Sequence, residues 1–258
     1  MFSGFNLSFD TVDKDFYQKG LTTYNSYKNQ IEHSLNNYLS PDGSINGSQM
    51  QADWFPLVKA NIFISHSHDD QDAAITLAGM LSALGLTVFI DSCIWGYAPD
   101  LLKKIDNKYC LNEDRATYNY DERNKSTSHV HIMLSTALSM MIDKVECVMF
   151  LNTPNSIKSS DIKSETFSPW IYSEIAMTKY VRRRQLNEYR PTLLKGMEQT
   201  RNLNENLSIK YQLNLDHLME LTDDDLINWV NKYSQSIPKP VFALDVLYEL
   251  FSNKTIRL

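Results

Sequence analysis

The stretch "ANIFISHSHDDQDAAITLAGMLSALGLTVFID" (60–91) contains a strand, a helix and a second strand in succession. Ile62 to Ile64 are consecutive apolar residues, which is typical of a strand buried on both faces. The residues that follow are spaced for one face of a helix: Ala74, Leu77, Ala78, Leu81 and Leu84. Gly85 ends that helix, and a second apolar strand then ends in Asp91. This order predicts a right-handed βαβ unit of a parallel sheet.

The alternation of strand and helix continues after a polar interruption. An apolar strand is predicted at 145–152. The next helix has Ser168 as N-cap and Pro169 at its first position. Alternating apolar residues predict a half-exposed strand at 207–215. Two helices then close the chain, one opening with the capping box Thr222…Asp225 and one at 242–251.

These elements predict an α/β fold, a flavodoxin-like three-layer sandwich with a parallel sheet. We assign residues 58–258 to this domain, with an insertion at about 106–128 and an extended C-terminal part. The insertion is polar and aperiodic, which favours a long loop. Residues 1–57 are interpreted as an N-terminal helical extension and linker.

An amphipathic helix is predicted at 14–39, ending at the Pro/Gly/Ser/Asn cluster "SPDGSING". Its apolar stripe has helical spacing: Tyr17, Leu21, Tyr24, Ile31, Leu35 and Tyr38. The segment is too short to have a core of its own. Its stripe must therefore pack on the main domain or on a second copy of the chain.

Charge and composition narrow the class of protein. The 258 residues have a net charge of −6, which argues against a nucleic-acid-binding face. We interpret the basic run 182–184 as a solvated helix end. Cys93, Cys110 and Cys147 contain no C-x-x-C pair, which favours reduced thiols. We find neither a signal peptide nor an apolar run of membrane-spanning length. A cytoplasmic protein without membrane or nucleic-acid partners is expected.

His66-x-His68-x-Asp70 follows the first predicted strand and has three possible interpretations. The spacing is similar to the H-x-H-x-D-H metal motif of metallo-β-lactamase-fold hydrolases, but Gln71 stands where that motif needs its last histidine. The long run of strands that precedes the motif in that fold is also absent. Ser65 to Asp70 can cap the following helix. The segment also lies where ligands bind in an open parallel sheet, outside the carboxyl ends of the strands. We expect no metal and no bound cofactor.

Four features in order resemble a Toll/interleukin-1 receptor (TIR) domain across roughly residues 58–190. The first strand ends in Phe-Ile-Ser, a helix follows, and the second strand ends in "VFID". Residues 92–99 resemble the BB loop of that family. Trp170-x-x-x-Glu174 resembles the W-x-x-x-E motif of bacterial and plant TIR proteins.

The resemblance is closest to prokaryotic TIR proteins of antiphage defence, the Thoeris type among them. It implies an enzyme that cleaves the nicotinamide–ribose bond of NAD, with NAD as substrate, and releases an ADP-ribose-derived signalling nucleotide: ADP-ribose itself, a cyclic isomer or a conjugate. It also implies a separate effector protein that responds to the product, and a phage-derived trigger. No sensor or effector domain is visible in the sequence, so we expect regulation by another polypeptide and a homo-oligomer on activation.

The resemblance makes Glu174 the expected catalytic residue. Nicotinamide leaves as a neutral molecule, so its departure needs no general acid. The reaction instead needs negative charge near the ribose, where oxocarbenium character develops. Trp170 lies one turn earlier on the same helix face and can form the cleft wall. The other expected substrate-binding residues are Phe63, Ser65, His66, Asp91, Trp95, Tyr97 and His129.

Two other functions remain open from the residues alone. A non-enzymatic TIR adapter would use the BB-like loop and its helices for assembly, although such adapters tend to lack the catalytic glutamate. A metallohydrolase would use the two histidines. Release of nicotinamide from NAD, with and without EDTA, separates these alternatives.

Overall fold

The computed structural model describes residues 1–28, 38–39, 44–156, 158–160, 163–166, 168–190, 211–212, 217–236 and 242–251. Five strands form the main sheet: β1 (Ser3–Leu7), β2 (Ile62–Ser65), β3 (Val88–Ile90), β4 (Cys147–Leu151) and β8 (Met219–Leu221). All neighbouring strands are parallel, in the order β3-β2-β4-β1-β8. A small antiparallel sheet contains β5 (Lys158–Ser160), β6 (Lys163–Thr166) and β7 (Tyr211–Gln212).

Helices flank the main sheet: α1 (Lys14–Lys28), α2 (Gly47–Trp54), α3 (Gln71–Ala83), α4 (Ser92–Trp95), α5 (Tyr97–Tyr109), α6 (Tyr120–Lys144), α7 (Pro169–Tyr180), α8 (Asp223–Gln235) and α9 (Ala243–Phe251). The predicted α/β class, a flavodoxin-like three-layer arrangement on a parallel sheet, is confirmed. Strands β2, β3 and β4 are buried along their whole length, as their mostly apolar sequences require.

The βαβ unit at 60–91 folds as predicted, with β2, α3 and β3 in succession. Gly85 has φ +79°, the left-handed conformation that ends a helix at little cost when no Cβ is present. The helix starts predicted at Ser168 and Thr222 are also confirmed. Ser168 Oγ accepts a hydrogen bond from the Ile171 amide, and Thr222 forms the reciprocal capping box with Asp225.

The N-terminal segment is more than a helical extension, because residues 3–7 form a strand inside the main sheet. β1 lies between β4 and β8, and Phe5 pairs with Met149 on one side and Met219 on the other. Its sequence, "SGFNL", includes a glycine and an asparagine and therefore lacks the apolar run expected of a central strand. Asn6 is accommodated because its Nδ2 donates to Glu220 Oε1 at 2.7 Å.

The strand predicted at 207–215 does not join the main sheet in the described residues. Only Tyr211–Gln212 is described there, as β7 of the small antiparallel sheet, and the rest of the prediction lies outside the described residues. The edge position next to β1 is occupied instead by β8, at 219–221. A three-residue strand is too short to give a recognisable sequence period.

The described part of the N-terminal stripe packs on the main domain, which was one of the two alternatives. Tyr24 is buried, and the Tyr17 hydroxyl donates to Asp72 at the start of α3. The helices cross at two glycines. A Cβ on Gly20 would lie 1.8 Å from the Ile75 carbonyl oxygen, and a Cβ on Gly79 would lie equally close to the backbone of α1. Ile31 and Leu35 lie outside the described residues.

The insertion predicted as a loop at about 106–128 is mostly helical. α5 continues to Tyr109, and α6 begins after the N-cap Asn119, whose side chain accepts from the Glu122 amide. The first turns of α6 are polar and exposed, so no apolar period marks them. Buried Asp106 holds the two helices together by accepting from Ser126 Oγ at 2.5 Å and Arg123 Nε at 3.0 Å.

All three cysteines are buried, and none of them forms a disulfide in the structure. Within the described residues, no helix combines the length and the apolar character needed to cross a membrane. The longest, α6, begins with a run of polar and charged side chains.

Candidate active site at the carboxyl ends of β2 and β3

The candidate site lies at a topological switch point of the sheet. From β2 the chain passes through α3 to β3 on one side, whereas from β4 it passes through α7 towards β8 on the other side. Connections that diverge in this way leave a crevice outside the carboxyl ends of β2 and β4. Ser65 and His66 stand at the end of β2, and Asp91 stands at the end of the neighbouring strand β3.

Asp91 is fully buried and joins the two strand ends. Its Oδ2 accepts from the His66 amide at 3.2 Å, and its Oδ1 accepts from the Ser92 amide at 2.7 Å. The Nδ1 atom of the His66 ring lies 2.5 Å from Oδ1 of the same carboxylate. The predicted neighbours His66 and Asp91 are therefore in direct contact, as parallel strands ending at one edge require.

Glu174 enters the same cluster from the second turn of α7. It is 2% exposed, and its Oε2 accepts from Ser65 Oγ at 2.5 Å. Its carboxyl group also hydrogen-bonds with that of Asp91. The structure thus brings the predicted catalytic residue against two of the predicted binding residues. Ser168 and Pro169 set this position because they fix where α7 begins.

A proton must be shared between the Glu174 and Asp91 carboxyls. Burial, followed by the neighbouring negative charge of Asp91, raises the pKa of Glu174 well above its usual range. Burial also raises the pKa of Asp91, but backbone N–H donors and the bond from Glu174 favour its ionised form. Oε1 of Glu174 has no hydrogen-bond partner among the described residues, so ionisation of this carboxyl would leave a buried charge poorly compensated. We expect the proton of the pair to lie on Glu174, because Asp91 accepts from two backbone N–H groups whereas Glu174 accepts from one hydroxyl.

His66 is held between Asp91 and Trp95. The imidazole and indole rings are stacked, with centroids 5.3 Å apart and planes 16° from parallel. Burial lowers the pKa of His66 to about 4, so its ring is neutral at pH 7. His66 is wholly buried and Trp95 is half-buried. The Trp95 ring therefore covers the site on the side of α4.

The two histidines of the H-x-H stretch face different surroundings. His66 is 0% exposed inside the cluster, whereas His68 is exposed on the 3-10 turn that precedes α3. They do not converge on a common centre. Within the described ranges, no group of three histidine, cysteine or acidic side chains is arranged to hold a metal ion.

The remaining predicted site residues lie outside the hydrogen-bonded cluster. Phe63 is buried in the core against Phe89, and Tyr97 is buried at the start of α5. Trp170 is half-buried on α7, with its ring edge-on to His131. His129 is exposed on α6. Of these residues, only Trp170 shares an element with Glu174.

The BB-like segment at 92–99 is helical, which corrects the prediction of a loop. Asp91 accepts from the Ser92 amide and begins the single turn of α4, and α5 follows from Tyr97. Pro99 is tolerated because it lies in the first turn of α5, where its missing N–H leaves no helical bond unmade. Trp95 is placed by this short turn.

Sequence reasoning missed a second buried network beside the site. Asp70 lies in the segment predicted to cap α3, but its side chain makes no capping bond. It accepts instead from Thr153 Oγ1 at 2.5 Å and from Asn155 Nδ2 at 2.8 Å, which fastens the loop after β4 to the start of α3. The position of Asn155 in "NTPNS" indicates a turn, but nothing in the sequence identifies its partner.

No protein-family model, curated protein or solved structure matches this chain. The resemblance to TIR proteins therefore rests on the sequence motifs quoted above, and the fold class rests on the sheet and its helices.

Proposed function

We propose that the chain is a TIR-like enzyme that cleaves the nicotinamide–ribose bond of NAD. One observation carries the proposal. Glu174 is a buried carboxyl at the switch point of the sheet, and the partners found for it among the described residues are a hydroxyl and a second carboxyl, with no lysine or arginine. A site built in this way suits a ligand that brings its own positive charge.

The chemistry of NAD fits such a site. The nicotinamide ring is cationic while attached to ribose and becomes neutral as the bond breaks, so it needs no general acid on departure. Positive character moves to the ribose in the transition state, where an ionised Glu174 stabilises it. Ser65 Oγ now donates to Glu174, and a ribose hydroxyl would donate to the same carboxylate when NAD binds. The bound cation displaces the proton from Glu174 because it lowers the pKa of that carboxyl.

Trp95 controls access in this proposal. Substrate reaches Glu174 only when the indole leaves its stacked position on His66. The nicotinamide or adenine ring of NAD then stacks on the aromatic surface that this movement exposes. A trigger, or a neighbouring copy that contacts α4, would favour the open position. The α1 stripe gives no support to self-association, because its described part is covered by α3. The remaining argument for activation by assembly is that a neighbouring copy would hold Trp95 away from His66.

The product is an ADP-ribose-derived nucleotide, either hydrolysed, cyclised or conjugated, that acts on a separate effector in antiphage defence. A second candidate, a non-enzymatic TIR adapter, is favoured by one observation. Glu174 is 2% exposed, so no substrate touches it in the arrangement described.

Incubation of the purified protein with NAD, over a range of protein concentrations and with and without EDTA, tests the proposal. We expect nicotinamide release that is insensitive to EDTA and whose specific rate rises with protein concentration. Loss of activity in EDTA would indicate a metal-dependent hydrolase. No release at any concentration, from protein shown to be folded, would leave the adapter as the better account.

A further inference from the structure

Unpaired polar atoms are concentrated around His66 in a way that the proposed cleavage step does not use. The Nε2 atom of His66, the Trp95 Nε1 atom and the Glu174 Oε1 atom are buried and have no hydrogen-bond partner in the described residues. Buried polar atoms are normally paired, so several unpaired ones in one cluster of side chains indicate a place for a ligand atom or a reacting group.

The geometry distinguishes the two nitrogens of His66. Nδ1 lies 2.5 Å from the Asp91 carboxylate, which favours the tautomer with the hydrogen on Nδ1. The stacked Trp95 ring fixes the plane of the imidazole. Nε2 is then left with a free lone pair, buried and without a partner among the described residues. A neutral imidazole oriented by a carboxylate is the usual form of a general base.

We infer that His66 is the base that deprotonates the acceptor which captures the ribosyl cation, an inference that rests on the proposed cleavage of NAD. In the first step, the bond from the ribose carbon to nicotinamide breaks and its electron pair leaves with nicotinamide. In the second, the acceptor oxygen or nitrogen forms the new bond to that carbon. Its proton passes to Nε2 of His66, and the Asp91 carboxylate stabilises the imidazolium until the proton is lost to solvent.

Glu174 and His66 therefore act in different steps. Glu174 stabilises the cation that every acceptor must capture, whereas His66 is needed only by an acceptor that has a proton to lose. Water, alcohols and amines belong to that class. A pyridine base does not, because its ring nitrogen attacks through a lone pair and no proton is released. The inference thus predicts that loss of His66 changes how the cation is shared between acceptors.

The test compares hydrolysis with base exchange in full-length protein supplied with NAD and 3-acetylpyridine. His66→Asn keeps a donor near the Nδ1 position, and His66→Gln keeps a polar group near the Nε2 position, but neither can take up a proton. We expect the ratio of exchanged dinucleotide to proton-bearing products to rise at least about tenfold in both variants, a conservative share of what general bases contribute.

Control proteins separate the possible failures. His68→Ala removes an exposed imidazole two residues away and should leave the ratio unchanged. Equal loss of exchange and hydrolysis in folded His66 variants would overturn the role of His66. Absence of nicotinamide release from the wild type would instead overturn the proposed function. If neither variant folds, the wild type is assayed in D2O instead. Hydrolysis should slow there relative to exchange, because only hydrolysis requires the acceptor to lose a proton. An unchanged ratio in D2O would contradict the inference.

Discussion

Glu146 and Glu174 are two glutamates with the same 2% exposure at opposite ends of the sheet. Glu146 precedes β4, and Arg190 binds both of its carboxylate oxygens, at 2.7 and 3.0 Å. Asp245 also pairs with that arginine. Glu174 lies at the carboxyl ends of the strands and meets Ser65 and a second carboxyl.

The difference between these two sites separates a structural role from a functional one. A buried carboxylate with a bidentate arginine has its charge balanced, and it joins the start of β4 to the C-terminal part of the chain. A buried carboxyl without a cation destabilises the fold unless it keeps a proton. Such a group is retained where the missing charge arrives with a ligand. The exposed fraction does not distinguish Glu146 from Glu174, because it is 2% for both.

Glu174→Gln should have the largest effect, and it acts on turnover. Glutamine resembles the protonated acid, because it accepts from Ser65 and donates to Asp91, but it cannot become negative when NAD binds. We expect nicotinamide release to fall by at least about 100-fold, equivalent to ~3 kcal/mol of transition-state stabilisation. The measurement is the initial rate per folded molecule. A rate within about threefold of wild type, or ~0.7 kcal/mol, would end the catalytic assignment.

Glu146→Gln should affect stability and leave turnover per folded molecule unchanged. The substitution leaves a half-buried guanidinium with a weakened set of partners. Removal of one member of a buried pair costs roughly 3–5 kcal/mol, and we expect the lower end because Asp245 still pairs with Arg190. Urea unfolding gives the stability, and the NAD assay gives the rate. A stable protein with impaired turnover would mean that the two glutamates have been assigned the wrong way round.

The pH dependence of stability should distinguish Glu174 from its glutamine variant. The folded pKa of Glu174 is raised above the unfolded value of about 4.3, so its favourable contribution is complete below that pH and is lost as pH rises. Glutamine has no such loss. We expect the free energy of unfolding of the variant to rise relative to that of the wild type. The rise is up to ~1.4 kcal/mol for each pH unit above the unfolded pKa, and it stops at the folded pKa of Glu174.

Urea unfolding of both proteins at pH 5, 6 and 7 provides this measurement. A difference in unfolding free energy that stays constant with pH would show that Glu174 is ionised at rest.

His68→Ala should have the smallest effect. The side chain is exposed and lies outside the cluster that contains His66. We expect unfolding free energy to change by no more than about 0.5 kcal/mol and turnover by no more than about twofold. Elemental analysis of the purified protein should find less than one equivalent of zinc, iron or manganese. One tightly bound metal per chain that is lost in this variant would revive the metallohydrolase interpretation.

The sequence predicted those elements whose signals are local. β2, α3, β3 and β4 follow from apolar runs and period, and the start of α7 follows from Ser168 and Pro169. Ser65, Asp91 and Glu174 could be expected near one another because parallel strands end at one edge of a sheet. The site prediction therefore depended on topology more than on any single motif.

Elements whose stability comes from distant contacts were missed. β1 is recognisable as a central strand only when β4 and β8 lie on either side of it. The polar start of α6 depends on Asp106 of α5, and the loop after β4 is fixed by Asp70. The proton shared by Glu174 and Asp91 is likewise a property of the assembled site. Neither carboxyl would have a raised pKa in a solvated chain.

Proton release on binding tests the central claim most directly. The claim is that Glu174 holds a proton at rest and gives it up when a cationic nicotinamide arrives. Calorimetric titration with a carbocyclic NAD analogue, which cannot lose nicotinamide, is repeated at pH 7 in buffers of different ionisation enthalpy. We predict release of about one proton per site from the wild type, and none from Glu174→Gln or with NADH, whose ring is neutral. Equal proton release from the wild type and the glutamine variant would contradict the account.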